Sequence, residues 1–434
     1  MMMRKIFNDD RVGSYLQRSE DSFFEDVHGA MFSDSGNRDE SGPTELFRDV
    51  PLPLVESKPR RCSEILFRFK KTLAGVLQRK KICPQQVTAT SLTAEERDRL
   101  LETSRALKEI GPLHQNLDES HLVNRIGDEY LISGVLGSGS FGIVLNGRRP
   151  TESSKNDVAI KVLVKSDLAS IADLQAVNSE ICVLRHHGNS HPNIIGFRET
   201  IHGPENIYIV LEKSQVSLQQ LWHLHSNMFA TQPNLFQVIT RGILKAVAYL
   251  HDVGISHNDL HPGNILICTE LDSQRNLNEG RVIETTDIRL CDFGMARMAD
   301  DYNGMSLLNE KSPILLPRGG LGRPLNRAPE TATQSLYDSK KQDVWSLGCI
   351  LFEINLHWTG VEDWEDTILQ SRKNPKAMQR KMAQILKKAQ RIPIDGNGPK
   401  LMHDLLFKQL LVMNPKKRVS AGQALNHPWF DFEY

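Results

Sequence analysis

Asp259 and Asn264, an aspartate and an asparagine five positions apart, lie in the run His257–Leu266, HNDLHPGNIL. The pair suits phosphoryl transfer. A carboxylate accepts or orients the proton of an attacking hydroxyl, and an amide oxygen holds a metal ion that bridges nucleotide phosphates. Downstream, Asp292 in Cys291-Asp292-Phe293-Gly294 offers a second hard oxygen. Phosphate-bound Mg²⁺ takes oxygen donors and usually few of them from protein. Asp259 is therefore the candidate base, and Asn264 and Asp292 are the candidate metal ligands. A single loop aspartate is by default a turn former; it is the mutual order of the three that points to chemistry.

Two further groups precede them. Gly137, Ser138, Gly139, Ser140, Phe141 and Gly142 lie between two strand-like segments, followed by Val144. Glycines there let a hairpin backbone approach phosphates with no Cβ in the way. A dinucleotide-binding turn would be followed by a helix, with an acidic residue about 20 positions on. Here a strand follows, and Lys161 stands in that region. Lys161 closes Val158-Ala159-Ile160-Lys161, and a lysine among apolar strand residues is costly to bury without a counter-charge. Glu180, beside Ile181 and Leu184 in the next helical segment, is the natural partner.

The elements that must position these groups change character along the chain. Residues 1–60 are rich in Ser, Asp, Glu, Gly and Pro, a composition that predicts disorder. Residues 61–125 form a helical extension. Within it, 61–82 place Ile65, Leu66, Phe69, Leu73, Val76 and Leu77 on one face and basic residues on the other. That suits a helix packed on the neighbouring domain, a partner or a membrane surface. Residues 93–110 form a second helix, with Thr93 and Glu96 as a capping box and Gly111-Pro112 as its stop. From 126 the pattern reads as strands at 130–136, 143–147 and 158–164, a helix at 168–186, and strands at 194–201 and 206–212. Beyond 213 it is largely helical, at 217–225, 234–252, 338–356, 376–390 and 401–412. The fold class is α+β: a small antiparallel β-rich lobe, 126–212, and a larger helical lobe, 213–434.

Composition narrows the partners. The 434 residues carry 53 basic and 53 acidic side chains, which argues against bulk attraction to nucleic acid or anionic membrane. No apolar run is long enough for a membrane span, and the N-terminus turns polar before a secretory core could form. Six scattered cysteines without CxxC pairing read as reduced thiols of an intracellular, cytoplasmic or nuclear protein.

Residues 126–434 resemble a eukaryotic-type protein kinase domain of the serine/threonine kind. The resemblance rests on GSGSFGIV (137–144), VAIK (158–161), Glu180, HPNI (191–194), HxDLxPxN (257–264), DFG (292–294), APE (328–330), DVWSLG (343–348), and Arg418 before HPWF (427–430). It implies a two-lobed fold with ATP and Mg²⁺ in the cleft and a protein substrate. By that resemblance Gly137 to Gly142, Val144, Ala159, Lys161, Glu180, Leu211, Glu212, Ser214, Asn264 and Asp292 bind the nucleotide, with Leu211 as gatekeeper and Glu212 to Ser214 as hinge. Asp259, Lys161 and His261 are the catalytic set. Glu330 would pair with Arg418, and Asp343 would brace the catalytic loop. Pro262 favours serine/threonine acceptors over tyrosine.

Three positions depart from the family pattern. Asn258 stands where an arginine usually reads a phosphorylated activation-segment residue, His261 where a lysine usually touches the transferring phosphate, and Arg323 where a threonine usually contacts the catalytic aspartate. Without that arginine, Tyr302, Ser306 and Ser312 would not be read by this pocket. Arg323 and Arg327 could instead attract an acidic or phosphorylated substrate. The departures leave two alternatives open. One is a pseudokinase or scaffold binding nucleotide or a partner. The other is a small-molecule kinase, because HNDLHPGN also resembles the loop of aminoglycoside and choline phosphotransferases. APE, DVWSLG and Arg418 weigh against the latter. The segment 269–286 and the stretch from DFG to APE are longer than usual.

Overall fold

The computed structural model describes residues 93–95, 125–127, 129–139, 142–152, 156–224, 232–268, 283–299, 313–359 and 374–434. The expected disorder of 1–60 and the basic helix at 61–82 lie outside these residues. So do Ser140, Phe141, Tyr302, Ser306, Ser312 and most of 269–286. Of the stretch expected as a helix at 93–110, Thr93, Ala94 and Glu95 are described; Ala94 and Glu95 are helical and Thr93 lies just before them.

Six strands open the described chain: β1 (Arg125–Ile126), β2 (Tyr130–Gly139), β3 (Gly142–Arg148), β4 (Val158–Val164), β5 (Phe197–His202) and β6 (Asn206–Glu212), with helix α1 (Ile171–His187) between β4 and β5. They form one antiparallel sheet in the order β1-β2-β3-β4-β6-β5. The alternation along β4 shows why. Val158, Ile160 and Val162 are buried on one face with Leu145, Tyr208 and Val210, in a small core of their own. Ala159 and Lys161 point to the other face, where the cross-strand register sets Lys161 beside Val144 and Ile209, and Ala159 beside Leu211. Period-2 alternation thus gives the sheet one sealed face and one that looks onto the site.

Helix α1 starts at a capping box: Ser170 Oγ accepts from the Asp173 amide at 3.2 Å, and the Ser170 amide donates to Asp173 Oδ2 at 2.7 Å. The expected start at 168 is displaced because Lys165–Asp167 forms a 3₁₀ turn first. The strand expected from 194 begins at Phe197, since Ile194 is drawn instead into a parallel bridge with Leu290.

Beyond the sheet come β7 (Val216–Ser217), α2 (Leu218–Leu224), α3 (Pro233–Asp252), β8 (Ile255–Ser256), β9 (Ile265–Ile267), β10 (Ile288–Leu290), β11 (Arg297–Met298), β12 (Leu315–Pro317), α4 (Glu330–Thr333), β13 (Leu336–Asp338), α5 (Ser339–Thr359), α6 (Pro375–Ala389), α7 (Asn397–Asp404) and α8 (Ala421–Ala424). Helices α3 and α5 supply much of the large core: Ile239, Ile243, Val247 and Leu250 from one, Trp345, Ile350 and Phe352 from the other. The helix expected over 401–412 changes at Leu405 to a π-turn, Leu405–Leu410, where the Leu411 amide reaches back five residues to Leu406 O at 2.8 Å. No helix among the described residues is long and apolar enough to cross a membrane.

Short strands frame the loops that carry the polar residues. β9 pairs with β7 and β10, and β8 pairs with β11. The loop from His257 to Asn264 is therefore anchored by paired strands at both ends, and the segment after Asp292 returns to pair beside its start.

Candidate active site

Lys161 projects from β4 toward α1. Its Nζ donates to Glu180 Oε1 at 2.7 Å, Glu180 Oε2 at 2.8 Å and Asp292 Oδ1 at 3.2 Å. Burial works against the Lys161 charge, but the two carboxylates outweigh it and hold the ammonium protonated above its ordinary range. The reverse balance holds at Asp292: burial would raise its carboxyl, and the Lys161 ammonium pulls it below the usual value. Ser179, next to Glu180, donates to Ala296 O at 2.8 Å, which ties α1 to the chain just after Asp292-Phe293-Gly294. Glu180, Lys161 and Asp292 are thus brought together from a helix, a strand and a loop.

The catalytic-loop candidate is held from beneath by Asp343, at the start of α5. Its Oδ2 accepts from the His257 amide at 2.8 Å, its Oδ1 from the Asn258 amide at 2.7 Å, and His251 Nε2 lies 2.9 Å from Oδ2. His257 Nδ1 accepts from the Asp259 amide, so its Nε2–H is the donor to Cys291 O at 3.0 Å, joining this loop to the Asp292 segment.

Among the described residues, the two non-glycine residues with left-handed backbone are Asn258, at φ 68°, and Asp292, at φ 62°. Such conformations are costly away from glycine and recur where a loop must aim a side chain. Asn258 turns inward. Its Nδ2 donates to Ser256 O at 3.2 Å, Ser256 Oγ at 2.9 Å and Met295 O at 3.3 Å. Ser339 Oγ donates to the same Ser256 hydroxyl at 2.7 Å. The position where the family pattern has an outward-reading arginine is here a buried brace. Sequence spacing could not show this, although asparagine is among the residues that best tolerate a left-handed backbone.

Asp259 is oriented by neighbours on both sides. Its Oδ1 accepts from the Arg323 amide at 3.0 Å, and its backbone carbonyl accepts from Asn264 Nδ2 at 3.0 Å. Burial raises its carboxyl above the ordinary value, against the opposing pull of His257 and the Arg323 amide. His261 Nδ1 accepts from the Gly263 amide at 3.0 Å, so the neutral ring carries its proton on Nε2, which lies 3.8 Å from Asp259 Oδ2. Burial, joined by the charge of Arg323, pushes the imidazole down to about 3. His261 is therefore a neutral N–H donor beside Asp259.

The chain reaches Arg323 through Gly322, where φ is 77° and a Cβ would meet Asn258 O at 2.3 Å and Asp259 Oδ1 at 2.8 Å. Only glycine lets this segment approach so closely. Arg327, expected to attract substrate, is committed elsewhere: Nε and Nη2 donate to Gly322 O at 2.9 and 2.6 Å, and Nη1 to Gly319 O at 3.2 Å. Gly319, Gly320 and Gly322 all have positive φ, which residue spacing does not show. The Arg323 side chain is exposed.

The remaining expected residues line the underside of the sheet. Val144, Ala159 and Leu211 are half-buried, on the Lys161 face. Gly137 has open space where a Cβ would stand, whereas one at Gly142 would lie 1.9 Å from Val162 O. Ser138 and Gly139 end β2. The Glu212 side chain is turned away to Arg289 Nε and the Gly196 amide, each at 3.1 Å, and its backbone N–H donates to Gly196 O at 2.8 Å, so both its carboxylate and its N–H are committed away from a hinge role. Ser214 is half-buried beyond it.

The donor set fits a phosphate-bound divalent cation. Asn264 spends its amide nitrogen on Asp259 O, which leaves Oδ1 as an acceptor, and Asp292 keeps a side chain 39% exposed. Among the described residues no group of three or more His, Cys, Asp or Glu could hold a metal alone. Two protein oxygens completed by phosphates and water are what Mg²⁺ usually takes.

Comparison with known proteins agrees with this geometry. The protein kinase domain family matches residues 130–430. The chain belongs to the protein kinase domain family. A probable serine/threonine-protein kinase of Dictyostelium discoideum, fhkE, is 27% identical over 344 residues, 78% of this chain and 43% of that protein. Serine/threonine-protein kinase SAPK9 of Oryza sativa subsp. japonica is 27% identical over 74% of this chain and 75% of its own length. Calcium/calmodulin-dependent protein kinase type 1 of Macrobrachium nipponense is 29% identical over 70% of this chain and 75% of its own. The chain thus spans less than half of the Dictyostelium relative and three quarters of the other two.

Proposed function

We propose that this chain is a serine/threonine protein kinase that transfers the γ-phosphoryl group of ATP to protein hydroxyls, with 126–212 and 213–434 as its two lobes. The observation that carries the reading is the Lys161–Glu180 pair joined to Asp292, with Asp259 and Asn264 on a loop tied to the same segment. Such a site works by positioning and electrostatics rather than by covalent chemistry.

In this reading the glycine hairpin 137–142, Val144, Ala159, Leu211 and the backbone at Glu212 and Ser214 enclose the nucleotide. Lys161 orients its phosphates. Asn264 and Asp292 would hold magnesium, which when bound neutralises charge on the β- and γ-phosphates. Asp259, fixed through Oδ1, presents Oδ2 to the acceptor hydroxyl and takes its proton. His261 offers Nε2–H without a permanent charge. The names of the Dictyostelium and Oryza relatives, both serine/threonine-protein kinases, favour serine and threonine as acceptors.

The test is phosphate incorporation into generic protein substrates by the full chain with Mg²⁺ and ATP. Turnover above that of Asp292→Asn, on serine and threonine, is expected. No turnover above that control, with nucleotide still bound, would return the scaffold reading. ATP consumption on a small alcohol alone would return the small-molecule kinase.

A further inference from the structure

The charges around Asp259 do not balance among Lys161, Glu180, Asp292 and His261. A transferring phosphoryl group develops negative charge that preorganised cations must meet. Lys161 is committed to Glu180 and Asp292. His261 sits beside Asp259 but is neutral, its Nδ1 occupied by the Gly263 amide. On the open side stands Arg323. Its backbone amide is 3.0 Å from Asp259 Oδ1, so its side chain leaves the chain immediately next to the carboxylate. No carboxylate lies within ion-pair distance of its guanidinium among the described residues. Arg327, four residues on, offers no substitute, because its guanidinium is spent on the carbonyls of Gly319 and Gly322.

We propose that Arg323 is a further catalytic residue: its guanidinium contacts the transferring phosphoryl group and supplies the positive charge that neutral His261 does not. The single residue then acts twice. Its amide fixes Asp259 Oδ1, and its side chain turns toward the phosphoryl oxygens. Guanidinium suits this because it stays charged throughout the working pH range and meets phosphate oxygens through a planar fork. Gly322 makes the arrangement possible, since any side chain there would push the segment off Asp259.

The inference rests on the kinase reading, and the experiment separates the two. Steady-state phosphotransfer is measured on the full chain, wild type, Arg323→Ala, Arg323→Lys, His261→Lys and the double variant Arg323→Ala/His261→Lys. Arg323→Ala keeps its backbone amide, so the Asp259 contact survives and nucleotide affinity serves as a folding control. A fall in kcat of roughly 10- to 1000-fold is expected, below the effect of a fully enclosed arginine because Arg323 is exposed to screening. Arg323→Lys should retain much of the rate, and His261→Lys should restore activity in the Arg323→Ala background by more than it raises the wild type. An active wild type whose Arg323→Ala variant keeps kcat overturns the inference alone, as does failure of His261→Lys to rescue. A change confined to KM for acidic peptides also overturns it, and makes Arg323 a substrate-recognition residue instead. A wild type without turnover overturns the kinase reading and this inference together.

Discussion

Glu330–Arg418 and Lys161–Glu180 each join distant parts of this chain, and they are built for opposite ends. In Glu330–Arg418 all five guanidinium N–H groups are used: on Glu330 Oε1 and Oε2 at 2.6 and 3.2 Å, twice on Val412 O at 3.1 and 2.8 Å, and on Lys341 O at 2.7 Å. Trp345 covers the guanidinium at 4.9 Å. The Glu330 and Arg418 side chains are 2% and 0% exposed. Lys161–Glu180 also lies deep, at 14% and 3%, but its cation is shared with Asp292, which is 39% exposed. One ammonium facing two carboxylates leaves an excess of negative charge at the mouth of the site. The closed pair can only hold the fold, whereas the open one is receptive to a cation and to phosphates. Saturation of hydrogen bonds, rather than burial, is what separates the structural pair from the functional one.

The largest expected effect lies at the open site. Asp259→Asn removes the proton acceptor but keeps shape and the contact to the Arg323 amide. Its kcat for protein phosphorylation should fall by about 10²–10⁴-fold, with unfolding free energy within about 0.5 kcal/mol of wild type. A large loss of stability in denaturant titration would move Asp259 into the structural class and erase the contrast.

The closed pair should behave the other way. Glu330→Gln leaves Arg418 buried with its charge uncompensated and is expected to cost about 3–5 kcal/mol in chemical denaturation. Glu180→Gln should cost less, because Lys161 retains Asp292 and because burial raises the Glu180 carboxyl, so that its charge is held there at a penalty. Its loss should appear in turnover. Equal destabilisation by the two substitutions would show that the Lys161 cluster is as structural as the other.

Asn258 belongs with the closed pair although it lies one residue from Asp259. Asn258→Ala combines a left-handed backbone, which disfavours a Cβ by about 1–2 kcal/mol, with loss of donors to Ser256 and Met295. Asn258→Gly loses the donors but not the backbone comfort, so it should be the milder of the two by about 1 kcal/mol. Thermal or denaturant unfolding of both checks the order. If glycine proves as harmful as alanine, the side-chain brace alone is responsible.

How much of this could be read from residue order follows the same division. Lys161 and Glu180 are joined by strand alternation and a helical face, periodicities that a sequence displays, whereas Asp292 reaches Lys161 from a loop at φ 62°. The roles of Asn258, Arg323 and Arg327 depend on backbone sign and on amide direction. Nothing in spacing says that Asn258 is at φ 68°, that the Arg323 amide rather than its side chain meets Asp259, or that Arg327 folds back on a glycine run. The late start of β5 and the π-turn at Leu405 are of this kind too, set by a bridge and a register shift between segments far apart or by a single extra residue in a turn. Side-chain periodicity is local and legible; peptide orientation in loops is settled only by the surrounding fold.

The smallest effect, and the finest test of the comparison, concerns pH. Asp259 must be deprotonated to accept a proton, and burial raises its carboxyl. Activity should therefore rise with pH through a limb lying above the ordinary carboxylate range of about 4. His261, pushed down to about 3, stays neutral across that limb and should add no inflection near the usual imidazole value. His261→Gln keeps an N–H donor and no charge. It should lower kcat/KM by roughly two- to tenfold, the worth of a neutral hydrogen bond, and leave the limb where it was. If the limb moved, or a second inflection near neutrality vanished, His261 would be titrating with Asp259. The two rings of this loop would then differ in kind, His257 bound into the frame through Cys291 O and His261 a charged participant, and the open site would carry one more cation than its hydrogen bonds now assign to it.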